Sequence, residues 1–249
     1  PLGRALAYGL QWALIMFPAV MVVAAIAAEA LQLAGASRAA FFQRMLLLSG
    51  GATLLQALAG HRYPIQEGPA TALLLTFVVL APQGAPAIQG GFLCGGLLLF
   101  ALGRLGGMAR LAPYFTPNVV GVILLLIALT LIPHLVPRLT GVTPERPGGE
   151  AAVFAASLAC ILLIALLASR LRGFLQTTAL ALGMAAGSLA FWAWGRVDLG
   201  PVAQAPWLAL PRGLGASLPE FSPSGVLASL AAYVAVAVNA VGSIQGVAG

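Results

Sequence analysis

Apolar stretches dominate this chain, broken only by short polar interruptions that carry arginine, proline or glycine. A helix that crosses a bilayer needs roughly 20 mostly apolar residues at about 1.5 Å each. On that measure the pattern predicts eight segments. They run from about Tyr8 to Leu33, Ala40 to Gly60, Ile65 to Ala81, Ala87 to Leu105, Pro117 to Val136, Ala151 to Ser169 and Phe174 to Trp194, and the eighth begins near Gly225 and continues to the last residue. Prolines bound the fifth. The third is short, and Pro64, Gly68 and Pro69 mark its opening. A stretch rich in proline and glycine, Gly195 to Ser224, separates the last two. The expectation is an all-α polytopic membrane protein with about eight transmembrane segments.

Composition strengthens this. Of 249 residues, 61% are apolar and 7% charged, against about 25% charged in a soluble domain. Too few charges exist to cover a water-facing surface, so lipid must serve as solvent. The net charge is +6, and all twelve cations are arginine. They stand singly or in pairs at the ends of apolar runs, which fits loop anchoring and topology control. No basic stripe with interleaved aromatics exists, so nucleic acid is not an expected partner.

An N-terminus on the cytoplasmic side puts Arg4, Arg62, Arg104, Arg110, Arg170 and Arg172 inside and Arg38, Arg44, Arg138, Arg146, Arg196 and Arg212 outside. The count ties, but four of the outer six lie in the two longer loops, which influence topology less. Those loops also hold Glu145, Glu150, Asp198 and Glu220. The N-terminus is therefore expected inside; the expected location is the cell inner (cytoplasmic) membrane. The first residue is Pro1 and the tail from Ser243 to Gly249 carries no charge or anchor, so the chain is expected to be part of something longer.

Several classes of chemistry find no equipment. Cys94 and Cys160 lie inside apolar runs with no Cys or His at ligand spacing, and read as small core residues. His61 and His134 flank apolar segments. No cofactor or metal is expected. With six acidic residues and two histidines, no catalytic constellation assembles and the chain does not read as an enzyme. Glycines at helix-packing spacing, Gly91 with Gly95 and Gly103 with Gly107, favour close helix approach in a membrane.

Polar groups at membrane depth are costly and therefore informative. Three places qualify. The first is Tyr63-Pro64-Ile65-Gln66-Glu67-Gly68-Pro69-Ala70-Thr71, where two prolines and a glycine forbid a regular helix. The apolar run after it, Ala72 to Ala81, is ten residues, or roughly 15 Å, half a bilayer. Two readings stand: a surface loop, or an extended stretch at membrane depth that faces a cavity and presents peptide groups and a half-helix N-terminus to a ligand. The second is Asn239 with Ser243, four apart on one helix face. Asn239 lies about 13 residues, or roughly 20 Å, into its run. Its amide either bonds a neighbouring helix or matches a heterocycle with adjacent N–H and C=O groups. The third is Gln11, next to Trp12, which is interfacial or site-facing.

The order of these features resembles the nucleobase–cation symporter family, which includes bacterial uracil and xanthine permeases and the nucleobase–ascorbate transporters. Gly9-Leu10-Gln11-Trp12-Ala13-Leu14-Ile15-Met16-Phe17 is similar to the family's first-helix Gln-His motif, with Trp12 in place of His. Gly51-Ala52-Thr53-Leu54-Leu55-Gln56 resembles its second helix, and Pro64 to Ala72 the opening of its broken third. Pro117-Asn118-Val119-Val120-Gly121-Val122-Ile123 resembles the start of its fifth, and Trp207-Leu208-Ala209-Leu210-Pro211 the loop before its eighth.

The resemblance implies the first inverted repeat of a seven-plus-seven fold plus the start of the second, with a broken third helix containing a short extended stretch. It implies core-domain helices one to four over 1–112, gate-domain helices five to seven over 113–195, an extramembrane loop over 196–224 and a truncated eighth core-domain helix over 225–249. It implies a nucleobase substrate, a coupling proton or sodium ion and a homodimer in the lipid bilayer. Carried over, the backbone near Ala70 and Thr71 meets the base, Asn239 takes the place of the eighth helix's Glu, and Ser243 that of a residue often His. Asn239 hydrogen-bonds but cannot titrate. Either coupling moves to another group, Glu67 being nearest, or the substrate range differs. A sulfate- or bicarbonate-type anion permease on the same fold and a non-transport membrane bundle are the alternatives.

Overall fold

The computed structural model describes residues 1–249 except 1, 61, 64, 108–109, 111–113, 115, 144–145, 208, 210–216 and 249. For 2, 4, 117, 120, 124, 127, 174, 177 and 243–248 it describes the backbone conformation alone. His61, Pro64, Glu145 and Arg212 thus lie outside the described residues, as does the side chain of Ser243.

The described elements are helical. They are α1 (Leu2–Ala30), α2 (Gly35–Ala59), a 3-10 turn (Thr71–Leu73) leading into α3 (Leu74–Leu80) and a second 3-10 turn (Ala81–Gln83), then α4 (Ala85–Arg104), α5 (Pro117–Thr140), α6 (Ala151–Arg170), α7 (Phe174–Thr177), α8 (Ala179–Ala193), α9 (Gly200–Gln204) and α10 (Pro223–Ala248). Among the described residues, five helical stretches are long and apolar enough to cross a membrane: Ala5–Ala30, Ala85–Arg104, Gly121–Thr140, Ala151–Arg170 and Pro223–Gly242. Thr71–Gln83 and Ala179–Ala193 are shorter apolar helices.

The eight predicted segments differ from these helices in three places. The second has the length, as α2, but Arg38, Gln43 and Arg44 dilute its apolar character. The seventh is interrupted at Thr178, whose hydroxyl donates to the Leu175 carbonyl at 2.9 Å and tightens the chain between α7 and α8. The fifth does not stop at its prolines, because α5 runs through Pro133 and Pro137 to Thr140. Proline has no N–H, so Pro133 and Pro137 free the carbonyls of Leu129 and Pro133, which a membrane helix tolerates; at the helix end the Thr140 hydroxyl donates to the Val136 carbonyl at 2.9 Å. Among its described residues, the stretch between the last two segments also holds a short helix, α9.

The chain divides into two compact units. One comprises residues 1–19 and 132–209. Within it α6 and α8 pack together, and the contact depends on glycine. A side chain at Gly183 would overlap Ile164, and one at Gly187 would meet the Cys160 sulfur at 3.0 Å. Cys160 is thus a half-buried, free thiol at a helix seam. At the loop end, Glu150 accepts from Arg146 at 2.7 Å and from Arg196, whose guanidinium also lies 4.8 Å from the centre of the Trp194 ring. That cluster joins the start of α6 to the chain just after α8.

The other unit comprises residues 20–131 and 210–249. Its inner face gathers Val23 and Ile26 of α1 with Leu74 of α3, and Leu80, Ala81 and Ile88 beside them. The closest seam joins α4 and α10. A Cβ on Gly91 would overlap Ser229 and reach the Gly225 carbonyl at 2.9 Å, one on Gly95 would overlap the Tyr233 ring, and one on Gly90 would overlap the Glu220 backbone. Gly91 and Gly95 oppose Gly225, Ser229 and Tyr233, each series stepping four residues, so both stripes follow one helix face. Phe92 adds an edge-on contact to Tyr233, with ring centres 6.2 Å apart.

This seam yields a prediction. Gly95→Leu drives a side chain into Tyr233 and should destabilise the fold by about 1–3 kcal/mol or more. Gly103, on the same helix with nothing within 4 Å of its would-be Cβ, is the control. Thermal midpoints of the purified variants should fall for Gly95→Leu and stay unchanged for Gly103→Leu.

Candidate functional site

The third apolar segment is broken as its sequence implies. Residues 65–70 have no regular secondary structure, and helix begins only at Thr71. Ala70 is extended, at φ −69° and ψ 113°. A proline at 69 has no N–H to offer and a glycine at 68 resists helix, so the chain cannot wind earlier. Peptide groups there must be satisfied from outside. The partner is Thr53 of α2. Its hydroxyl oxygen accepts the Glu67 N–H at 2.9 Å, and its own proton lies within reach of two carbonyls, Ser49 at 2.8 Å and Glu67 at 3.2 Å. Gly68 runs past Val20 of α1, which a Cβ would touch at 3.9 Å.

A cavity of about 310 Å³ opens beside this stretch. Pro69 and Ala70 form one wall, and Phe41, Met45, Phe77 and Phe92 line others. These walls are apolar and aromatic, suited to the faces of a flat ring.

On the other side α10 packs against the Thr71–Leu73 turn and α3. Its start is set by Ser222 and Pro223. Proline fits the first helical position, and the Ser222 hydroxyl accepts the Gly225 N–H at 3.2 Å as an N-cap. The same hydroxyl donates to Gln83 Oε1 at 3.1 Å, which ties α10 to the end of the third segment. The helix therefore begins two residues before the predicted Gly225. Asn239 is half-buried, next to the buried Ala237 and Val238.

The predicted site residues fall as follows. Glu67, Ala70, Thr71 and Asn239 belong to the second unit, and Ser243 continues the α10 backbone four residues on. The structure brings their elements together, the extended stretch and its half-helix on one hand and α10 on the other. Ala70 lines the cavity; Thr71 and Asn239 do not. Gln11 belongs to the first unit, where it is buried and its Oε1 has no hydrogen-bond partner. The same holds for the Oε1 of Gln66 and the Oγ of Ser229.

Thr53, Gln66 and Ser229 are the polar groups that sequence reasoning did not assign. Thr53 carried a usable signal, a hydroxyl in the middle of an apolar run. Its bond to Glu67 carried none, because that contact depends on tertiary packing.

Comparison with known proteins decides the family. The xanthine/uracil permease model, described as a permease family, matches residues 3–249. The chain belongs to this family. It is therefore a multi-pass membrane protein of a permease family and not an enzyme. It is 31% identical over 242 residues to the nucleobase transporter PlUacP of Paenibacillus larvae, covering 94% of this chain and 55% of that protein. It is 28% identical to the uric acid permease PucK of Bacillus subtilis, with 94% and 55% covered. It is 23% identical to the xanthine permease of Bacillus subtilis, with 90% and 52% covered. The permease chain thus spans about half the length of the relatives it matches.

The capping of α10 supplies a test of this permease's local architecture. Ser222→Ala removes the cap and the bond to Gln83, and should cost about 1 kcal/mol. Thermal unfolding should show a lowered midpoint, with Ser222→Asp retaining most of the stability through the same cap.

Proposed function

We propose that this chain supplies the substrate-binding first half of a cation-coupled nucleobase permease of the cytoplasmic membrane. The observation that carries the reading is the third segment. An extended stretch pinned to α2 runs into a half-length helix, with α10 packed against the joint. Such broken helices place peptide groups and a positive helix end at mid-membrane, where secondary transporters bind their substrates. The aromatic wall beside Ala70 suits the faces of a purine or pyrimidine. The relatives named for nucleobases, uric acid and xanthine favour this substrate class over an inorganic anion.

In this proposal α2 and the two shorter apolar helices also cross the bilayer, giving eight crossings. Residues 1–112 and 225–249 act as the core domain and 113–195 as the gate domain, a functional division that differs from the compact units described above. The backbone at Ala70 and Thr71 contacts the base, Asn239 and Ser243 read its edge, and Gln11 contributes from the first helix. The remaining half of the site comes from the part of the relatives that this chain does not match, and the working protein is a homodimer. Asn239 cannot carry a proton. Glu67, held at the binding stretch, is the proposed coupling group.

The test is uptake of labelled xanthine, uric acid and uracil by the natural full-length protein in cells lacking their own carriers. Saturable uptake of one of them, competed by the others, is expected; sulfate or bicarbonate uptake without it would sink the reading. The coupling role has its own check. Glu67→Gln should flatten the dependence of uptake on external pH, and an unchanged profile would remove Glu67 from the mechanism.

A further inference from the structure

We propose that Thr53 is a positioning residue for the substrate-binding backbone, acting through the Glu67 peptide. This rests on the reading of residues 67–71 as the binding stretch. Residues 65–70 make no helix and no sheet, so their placement depends on bonds from outside. The Thr53 hydroxyl brackets one of these residues from both sides, 2.9 Å from the Glu67 nitrogen and 3.2 Å from the Glu67 carbonyl. It is itself held by the Ser49 carbonyl of the preceding helical turn at 2.8 Å, a back-bond that limits the rotamers of a β-branched side chain. Ser49 is buried, so the anchor is set into the packed face of α2.

Glu67 lies three residues before Ala70, where the extended chain meets the cavity and turns into helix. Proline at 69 fixes one backbone angle between the two. A displacement at Glu67 is passed on toward Ala70 and Thr71, less what the freer backbone of Gly68 takes up, so the expected loss is modest. Misplacing a binding group by about 1 Å is enough to weaken recognition markedly. Thr53 touches no substrate in this account. Its effect falls on binding and leaves the intrinsic turnover of bound substrate nearly intact.

Two substitutions separate the hydroxyl from the shape. Thr53→Val keeps the volume and removes the hydroxyl; Thr53→Ser keeps the hydroxyl and removes a methyl. In the natural full-length protein, KM for labelled xanthine or uracil should rise roughly three- to tenfold in the valine variant, the worth of one hydrogen bond. The maximal rate should change little, and the serine variant should restore KM. Amide hydrogen exchange over 65–70, read by mass spectrometry on the same preparations, should quicken in the valine variant and stay slow in the serine variant. Unchanged exchange in the valine variant would show that the clasp does not hold the stretch and would overturn the proposal. Faster exchange with an unchanged KM, or an equal loss of maximal rate in both variants, would overturn the positioning role while leaving the clasp. Absence of any nucleobase binding or uptake by the wild type, with exchange slow as expected, would overturn the site reading and this role with it.

Discussion

Between Ile65 and Ala70 the main chain leaves helical structure without joining a sheet, and peptide groups between its two ends must find partners beyond their own segment. In lipid such backbone survives only inside protein. The second unit is organised around that requirement. Helix α2 offers the Thr53 hydroxyl to Glu67, α1 lays Val20 beside Gly68, and α10 covers the turn at Thr71–Leu73. What cannot satisfy itself is enclosed by elements that can, and the enclosed segment borders a cavity at Pro69 and Ala70.

The enclosure holds because α10 is itself held. Lipid tails are as apolar as leucine, so helices in a membrane gain little by hiding apolar side chains from them. Close packing has to do the work instead. Gly91 and Gly95 let α10 approach until Ser229 and Tyr233 lie against the α4 backbone. The Ser222 hydroxyl fixes where α10 starts, and its bond to Gln83 fixes that start relative to the third segment. The α6–α8 pair uses the same device, with Gly183 and Gly187 set against Ile164 and Cys160.

Much of this was legible in the residues. The apolar runs give the helices because their length and poverty of charge leave few other structures. The broken third segment follows from Gly68 and Pro69, whose backbone limits act locally and need no neighbours. Gly91 and Gly95 announced a close helix contact, though not its partner. Where proline acted against expectation, in α5, the helix runs on through Pro133 and Pro137, which remove two bonds of the ladder without ending it. The break at Thr178 had no proline or glycine to mark it. The Thr53–Glu67 clasp joins positions fourteen apart across two elements, so it depends on how those elements dock. The Asn239 amide was readable as a polar group inside an apolar run, whereas the packing of its helix against the third segment came only from tertiary structure.

A hydroxyl has one proton, and Thr53 has two carbonyls within reach of it. Rotation about a single bond decides which is served. Turned toward Ser49, the hydroxyl closes a loop within α2 and leaves the Glu67 carbonyl with acceptor capacity to spare. Turned toward Glu67, it releases the Ser49 carbonyl instead. The accepting role toward the Glu67 N–H persists in both settings. The N–H bond thus holds the extended stretch to α2 in either setting, while the hydroxyl proton is shared between two acceptors.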